Sequence, residues 1–265
     1  EYSLWLSKEL EQYSNLLNRS NIHLMDEDGN LEKEYQNHCI SRNFIKHKSH
    51  PTNGEFLFGG RMAPPWVNLS KEQRKRIMIN GTHTTEIDRP ASHVNAMYEV
   101  ITGQPYLDGY PYDLSINGSL VPRHIVKNVS SFMQGSKSPL GTAISLGNHY
   151  KREAAKPGAA AKDILQHEEW LTYKKKVSTS TIISKFLDKH YQVKDYYMRG
   201  KQYGDMIQCW ESDIVFEVVI ELVKLRIPVL TVYDSFIIQL QYAELLKEIM
   251  EDVRITSRRK LESLA

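Results

Sequence analysis

Two aspartates stand where a chain could carry out phosphoryl transfer. Asp88 closes a β-prone run in Thr84–Tyr98 (TTEIDRPASHVNAMY), Arg89-Pro90 then breaks the strand, and a helix is predicted from about Ala91. Proline stops a strand but is tolerated in a first helical turn. A carboxylate at a strand end beside a helix start suits a hard divalent cation, because magnesium takes a few carboxylates and keeps positions for phosphates. A lone aspartate there is more often a turn cap, so a second acid in matching context is required. Asp234 supplies it: the β-prone runs Pro228–Tyr233 and Phe236–Gln239 flank Asp234-Ser235, which predicts a hairpin with an acid at its tip. The two acids lie 146 residues apart (234 − 88) and can meet only through the fold. Paired aspartates from two strands are what two-metal phosphoryl transfer needs, with ions about 3.5–4 Å apart on the attacking and leaving oxygens.

These segments resemble the palm of family A (DNA polymerase I-type) DNA polymerases and of the related single-subunit phage-type RNA polymerases. EIDRPASHVNAMY resembles motif A, whose family form is Asp-Tyr-Ser before a helix. VYDSFII resembles motif C, which reads His-Asp-Glu in the DNA polymerases and His-Asp-Ser-Phe in the phage enzymes. Arg123 and Lys127 in VPRHIVKNVSSFMQG match the Arg-x-x-x-Lys of motif B, and FGGRMAPPWVNLSKEQRKRIMING resembles the Thr-Gly-Arg segment preceding motif A. All four occur in the family's order, over roughly Gly59 to Arg254.

The resemblance implies a metal-dependent nucleotidyltransferase that extends a nucleic-acid 3′ end, most simply a template-directed DNA polymerase of replication. It implies two Mg2+ ions, with Mn2+ able to substitute, held by Asp88, Asp234 and the backbone carbonyl of Arg89. The triphosphate would fall to Arg123 and Lys127, the nucleotide to His93, and a DNA or RNA primer–template to Arg61, Lys71, Arg74 and Arg76. Two departures limit the transfer. His93 stands five residues after Asp88, where the DNA polymerases carry a glutamate that crowds the sugar 2′ position, so sugar choice does not carry over. Ser131 and Gly135 stand where the family has base-stacking aromatics. Trp210-Glu211-Ser212-Asp213 resembles a polar segment near the family's active site, with Glu211 and Asp213 weaker candidates than the two aspartates.

The composition, 41% hydrophobic and 25% charged, is that of a globular chain with one to two domains. A net charge of +2 does not mark the whole chain as a nucleic-acid binder, so any basic surface is local. Cys39 and Cys209 fit no metal-binding spacing and point to a reducing compartment. The most apolar stretch, Ile214–Val232, is broken by Glu217, Glu221, Lys224 and Arg226, which argues against a membrane span. The expected location is cytoplasmic, in a bacterial or phage-type setting. The start at Glu1, with no methionine or signal-like segment, suggests a fragment or the ordered part of a longer chain.

Tyr2–Asn18 spaces its leucines as an amphipathic helix, Asp26–Asn30 is a turn, and residues 47–51 (HKSHP) form a loop with solvated histidines. In Phe56–Arg61 (FLFGGR) the glycines let the backbone pass close to another surface while Arg61 projects from it. Arg61, Lys71, Arg74, Lys75 and Arg76 face a single acid, Glu72, either as a solvated helix face or as a phosphate contact, and their place between two motifs tilts toward phosphate. Arg123, Lys127 and Ser131 share one face of a predicted helix, opposite Ile125, Val129, Phe132 and Met133. Helices are predicted at 164–177, 182–193 and 206–225, a linker at 154–161, and a last helix over 243–261 ending in a basic Arg-Arg-Lys.

The expected fold class is α+β: a polymerase-like palm with an antiparallel sheet, a helical fingers-like insertion and an N-terminal helical region. The expected divisions are an N-terminal helical, thumb-like region 1–58, palm 59–103, insertion 104–205 and palm 206–265. Within the same chemistry an RNA polymerase, a primase or a template-independent transferase is the alternative. A non-catalytic nucleic-acid-binding module on a polymerase-like palm is the alternative of another class.

Overall fold

The computed structural model describes residues 2–48 and 56–253. Two units emerge, one of Glu1–Pro105 with Gln208–Ala265 and one of Tyr106–Ile207, close to the expected insertion at 104–205. The first unit begins with helix α1 (Tyr2–Asn18). Strands β1 (Ile22–Met25), β2 (Leu31–Tyr35), β3 (Arg42–Phe44) and β4 (Gly59–Met62) follow. Among the described residues, the helical region expected over 1–58 is therefore one helix followed by strands. Ile22 and Leu24 alternate with less buried neighbours, a period of two that a helix cannot bury on one side.

Next come the short helix α2 (Lys71–Arg74), β5 (Ile77–Ile79), β6 (Thr82–Asp88) and α3 (Ser92–Thr102). Asn80-Gly81 joins β5 to β6 with both residues at positive φ, +50° and +73°, which is the type I′ geometry that matches the twist of paired strands. The second unit holds β7 (Ser115–Ile116), β8 (Ser119–Leu120) and the helices α4 (Arg123–Gly135), α5 (Pro139–Ala154), α6 (Ala161–Tyr173) and α7 (Thr179–Lys189). The long helix α8 (Lys201–Lys224) contributes its part from Gln208 onward to the first unit. That unit closes with β9 (Val229–Val232), β10 (Ser235–Gln239) and α9 (Ala243–Asp252). The predicted basic end of the last helix lies outside the described residues, as does most of the 47–51 loop.

Among the described residues the first unit carries a six-stranded antiparallel sheet in the order β2-β1-β5-β6-β10-β9. Leu6, Tyr13 and Leu17 of α1 join Ile214, Phe216, Val218, Val219 and Leu222 of α8 and the buried strand residues in one apolar core. β9 and β10 are buried at every position, so this hairpin is a core element with an acid at its tip.

β9 is also an edge strand, and an edge leaves backbone groups without a ladder partner. Because Val232 pairs with Ser235 at the turn, the carbonyls of Val229 and Thr231 point away from β10. Tyr13 donates its hydroxyl to Val229 O at 2.7 Å, and Trp66 donates its indole N–H to Thr231 O at 2.9 Å. Each bond removes an unsatisfied buried acceptor worth about 1–3 kcal/mol.

The Gly-Gly of the 56–61 segment has a packing cause. Gly60 sits at φ +78°, and a Cβ there would lie 2.6 Å from Arg42 Nη2. The close surface is Arg42 itself, which donates to Gly60 O at 2.7 Å and to Asp213 Oδ1 at 2.8 Å.

In the second unit α4 buries Ile125, Val126, Val129 and Met133 and leaves Arg123 and Lys127 exposed, as its spacing predicts. Ser138 and Ser178 cap α5 and α7 by accepting from Gly141 N and Thr181 N. Charge is divided unevenly. The second unit has 15 Lys and Arg against 9 Asp and Glu, and the first has 19 against 23, so the basic balance belongs to residues 106–207. No helix among the described residues is long and apolar enough to cross a membrane. Cys39 is exposed and Cys209 buried, and neither is in a disulfide.

Candidate active site

The register of β6 and β10 brings the two sequence-predicted acids together. Asp88, the last residue of β6, pairs across the sheet with Ser235, the residue after Asp234. The Ser235 hydroxyl donates to Asp88 Oδ1, and the ladder continues one step further as Arg89 N donates to Asp234 O at 3.2 Å. Both ends of this meeting are strained. Tyr233, first in the two-residue turn, has φ +56°, and Ala91, which precedes α3, has φ +49°. Left-handed backbone at a residue other than glycine costs about 1–3 kcal/mol and persists where surrounding structure enforces it.

Glu211 of α8 supplies a third charge. It is 1% exposed, with Arg61 Nη2 at 2.8 Å from Oε2 and His93 Nδ1 at 3.0 Å from Oε1. Burial pushes its carboxyl up, but His93 and Arg61 outweigh burial and hold it down at about 2. Arg61 also lies 5.4 Å from the centre of the Tyr233 ring and 3.5 Å from His93 Nε2. One guanidinium thus links β4 to the hairpin tip, to α3 and to α8.

Asp234 responds in the opposite direction. Burial raises its pKa, and the negative charges of Glu211 and Asp88 raise it further against its own backbone N–H and His93. A buried carboxylate beside other acids favours a cation. The donor set of Asp88, Asp234 and the Arg89 carbonyl is all oxygen, as magnesium requires. Among the described residues no group of three or more His, Cys, Asp and Glu side chains is arranged to hold a metal ion, so the candidate centre rests on two carboxylates and a backbone oxygen.

Compared with known proteins, the chain matches no family model and no curated protein.

The other predicted site residues are distributed as follows. Arg61 and His93 gather on Glu211 beside Asp234. The Arg89 side chain turns inward to Glu99, at 2.8 and 3.1 Å, so only its backbone faces the acids' ladder. Arg74 is bound in bidentate fashion by Glu86, at 2.9 Å on both oxygens, and Arg76 lies 3.7 Å from Glu32. The basic run is thus largely neutralised within the fold, and Lys71 is its exposed cation without an ion pair among the described residues. Arg123 and Lys127 are exposed on α4 of the second unit, with Arg123 lying 4.4 Å from the centre of the Tyr110 ring.

Sequence reasoning missed Ser235 as a partner of Asp88, although the Asp-Ser pair stood in the motif. It also missed the central place of Glu211, ranked below the aspartates, and the anchoring of β9 by Tyr13 and Trp66. Glu211 and Arg61 are 150 residues apart, and no local pattern announces such a pair.

Proposed function

We propose that the chain is a magnesium-dependent nucleotidyltransferase with a polymerase-like palm, extending a nucleic-acid 3′ end under the direction of a template. The observation that carries it is the cross-strand pair Ser235↔Asp88, which brings Asp234 beside Asp88 at one end of an antiparallel sheet. The order of the four motifs along the chain and the all-oxygen donor set support it further. Bound divalent ions would supply charge stabilisation to the attacking and leaving oxygens.

The chain's own residues do the rest. Asp88 and Asp234 offer carboxylates, and Ser235 fixes the rotamer of Asp88 through its hydroxyl. Glu211 accepts from Arg61 through Oε2 and has His93 Nδ1 3.0 Å from Oε1, so it acts through those side chains and through its field on Asp234. The exposed pair Arg123 and Lys127 offers the charge that a triphosphate needs as it becomes pyrophosphate. DNA and RNA primer–templates and nucleoside triphosphates are the partners this chemistry implies.

The test is extension of labelled DNA and RNA primers, with and without template, using dNTPs and NTPs in magnesium or manganese. Template-dependent addition of dNTPs supports the proposal. Nucleic-acid binding with no incorporation under any condition replaces it with a non-catalytic module.

A further inference from the structure

The segment Tyr106–Asp113 is rich in glycine, proline and tyrosine. Within the second unit it is pinned to the end of α7. Lys189 Nζ donates to the carbonyl of Tyr110 at 2.9 Å and to that of Asp113, and His190 Nε2 lies 2.9 Å from Pro111 O. Lys189 also lies 5.3 Å from the Tyr106 ring centre, and the rings of Tyr110 and Tyr112 meet edge to face at 5.8 Å. These contacts fix Tyr110, whose ring supports the Arg123 guanidinium and whose hydroxyl accepts from Arg123 Nη2.

The hydrogen count of this pair is informative. A guanidinium can only donate, so the Tyr110 oxygen is the acceptor, and the phenol keeps one O–H of its own to give. Arg123 is exposed and has further N–H donors beyond the one spent on Tyr110. Both side chains therefore keep donors to give at one place, and a group with several anionic oxygens is the ligand that fits them. Stacking on the tyrosine also orients the guanidinium before the ligand arrives, which lowers the ordering cost of binding.

We propose that Tyr110 is a phosphate ligand: its hydroxyl accepts from Arg123 and donates its own proton to a phosphate oxygen of a nucleoside triphosphate. The proposal rests on α4 being the triphosphate-binding helix. It adds a neutral donor, from a loop, to the cations of that helix.

Calorimetric titration of the full chain with inorganic tripolyphosphate in EDTA tests it without metal or turnover, and dATP serves as a second probe. Tyr110→Phe keeps the ring under Arg123 and removes only the hydroxyl, so the fold is spared. The expected result is binding about tenfold weaker for Tyr110→Phe, in line with a lost hydrogen bond to a charged group. Arg123→Ala should weaken binding at least as much, and the double variant no more than Arg123→Ala alone, because the two residues act as one unit. Unchanged binding by Tyr110→Phe alongside weakened binding by Arg123→Ala overturns the role of Tyr110 and leaves α4 its ligand. Unchanged binding by both, or no binding by the unaltered chain, overturns both.

Discussion

Ser235 reaches across the sheet to Asp88, its hydroxyl donating to Oδ1 from the residue that follows the other acid. Ser235 is buried and Asp88 exposed, so the bond fixes a carboxylate that solvent would otherwise leave free to rotate. Ser235→Ala should lower the single-turnover incorporation rate about tenfold, the low end for a hydrogen bond to a charged group, while primer–template affinity holds. Ser235→Thr, which keeps the hydroxyl, should recover most of the rate. Equal rates for Ser235→Ala and the unaltered protein would show that the bond does not orient Asp88.

Asp234 trades stability for its position. Burial, Glu211 and Asp88 raise its folded pKa above the usual 3.8, so its ionised form is disfavoured in the folded state. The sign follows directly: stability is lost as pH rises through the window above 3.8 and the group is forced to ionise. Asp234→Asn removes that charge and should raise the melting temperature at pH 7 while abolishing incorporation, as expected where a site is kept at the expense of stability. The gain should shrink as pH is lowered through that window, because the unaltered side chain takes up its proton there. A melting temperature at pH 7 lowered by this substitution would contradict the repulsion.

Glu211 works in the reverse sense. Its folded pKa of about 2 is below the ordinary 4.5, so its pairing with His93 and Arg61 stabilises the fold fully above 4.5 and is lost as pH falls from there toward 2. Glu211→Gln should flatten this acid limb in pH-dependent thermal melts. Arg61→Ala leaves a buried charge short of a partner and should cost about 3–5 kcal/mol, more than Glu211→Gln. An acid limb unchanged by Glu211→Gln would place the loss on other carboxylates.

The parts of this architecture that local chemistry decides were legible in the sequence. Arg89-Pro90 ends β6 at Asp88 because proline cannot continue a ladder, and the β-prone runs around Asp234 had only a hairpin to form. The leucine spacing of residues 2–18 matched α1 from end to end. Asn80-Gly81 was an equally readable turn signal between β5 and β6 that the motif reading passed over. What could not be read depends on pairings fixed only by the tertiary fold. Arg42 meets Asp213 across 171 residues, and the guanidinium so held lies where a Cβ on Gly60, already at φ +78°, would fall. The basic run before β5 looked uniform because its acidic partners, Glu86 and Glu32, come from strands on either side in the sequence.

That run therefore divides by role. Lys71 is exposed, whereas Arg74 donates to Glu86 and to Leu69 O at 2.9 Å and holds α2 against β6. If the segment touches nucleic-acid phosphate, Lys71→Ala should reduce the slope of log affinity against log salt by about 0.7–0.9, one contact. Arg74→Ala should lower the melting temperature instead, because Glu86 is left without its bidentate partner. A slope unchanged by Lys71→Ala, measured by anisotropy on labelled DNA, would make the run solvated surface.

Arg123 and Lys127 stand one turn apart on the exposed face of α4 and project side by side. Two cations at that spacing can follow the charge along a triphosphate, but they do not act alike. The guanidinium of Arg123, held on Tyr110, is positioned before the ligand arrives, so it contributes to binding in the ground state. Arg123→Ala should then mainly raise the apparent nucleotide KM. Lys127 is a flexible point charge, and its interaction strengthens as negative charge moves to the leaving pyrophosphate, so Lys127→Ala should lower the incorporation rate more than it weakens primer–template binding. Single-turnover extension at varied nucleotide concentration separates the two effects. Should both substitutions instead weaken primer–template binding and spare incorporation at saturating nucleotide, α4 is a nucleic-acid contact and its assignment to the triphosphate is wrong.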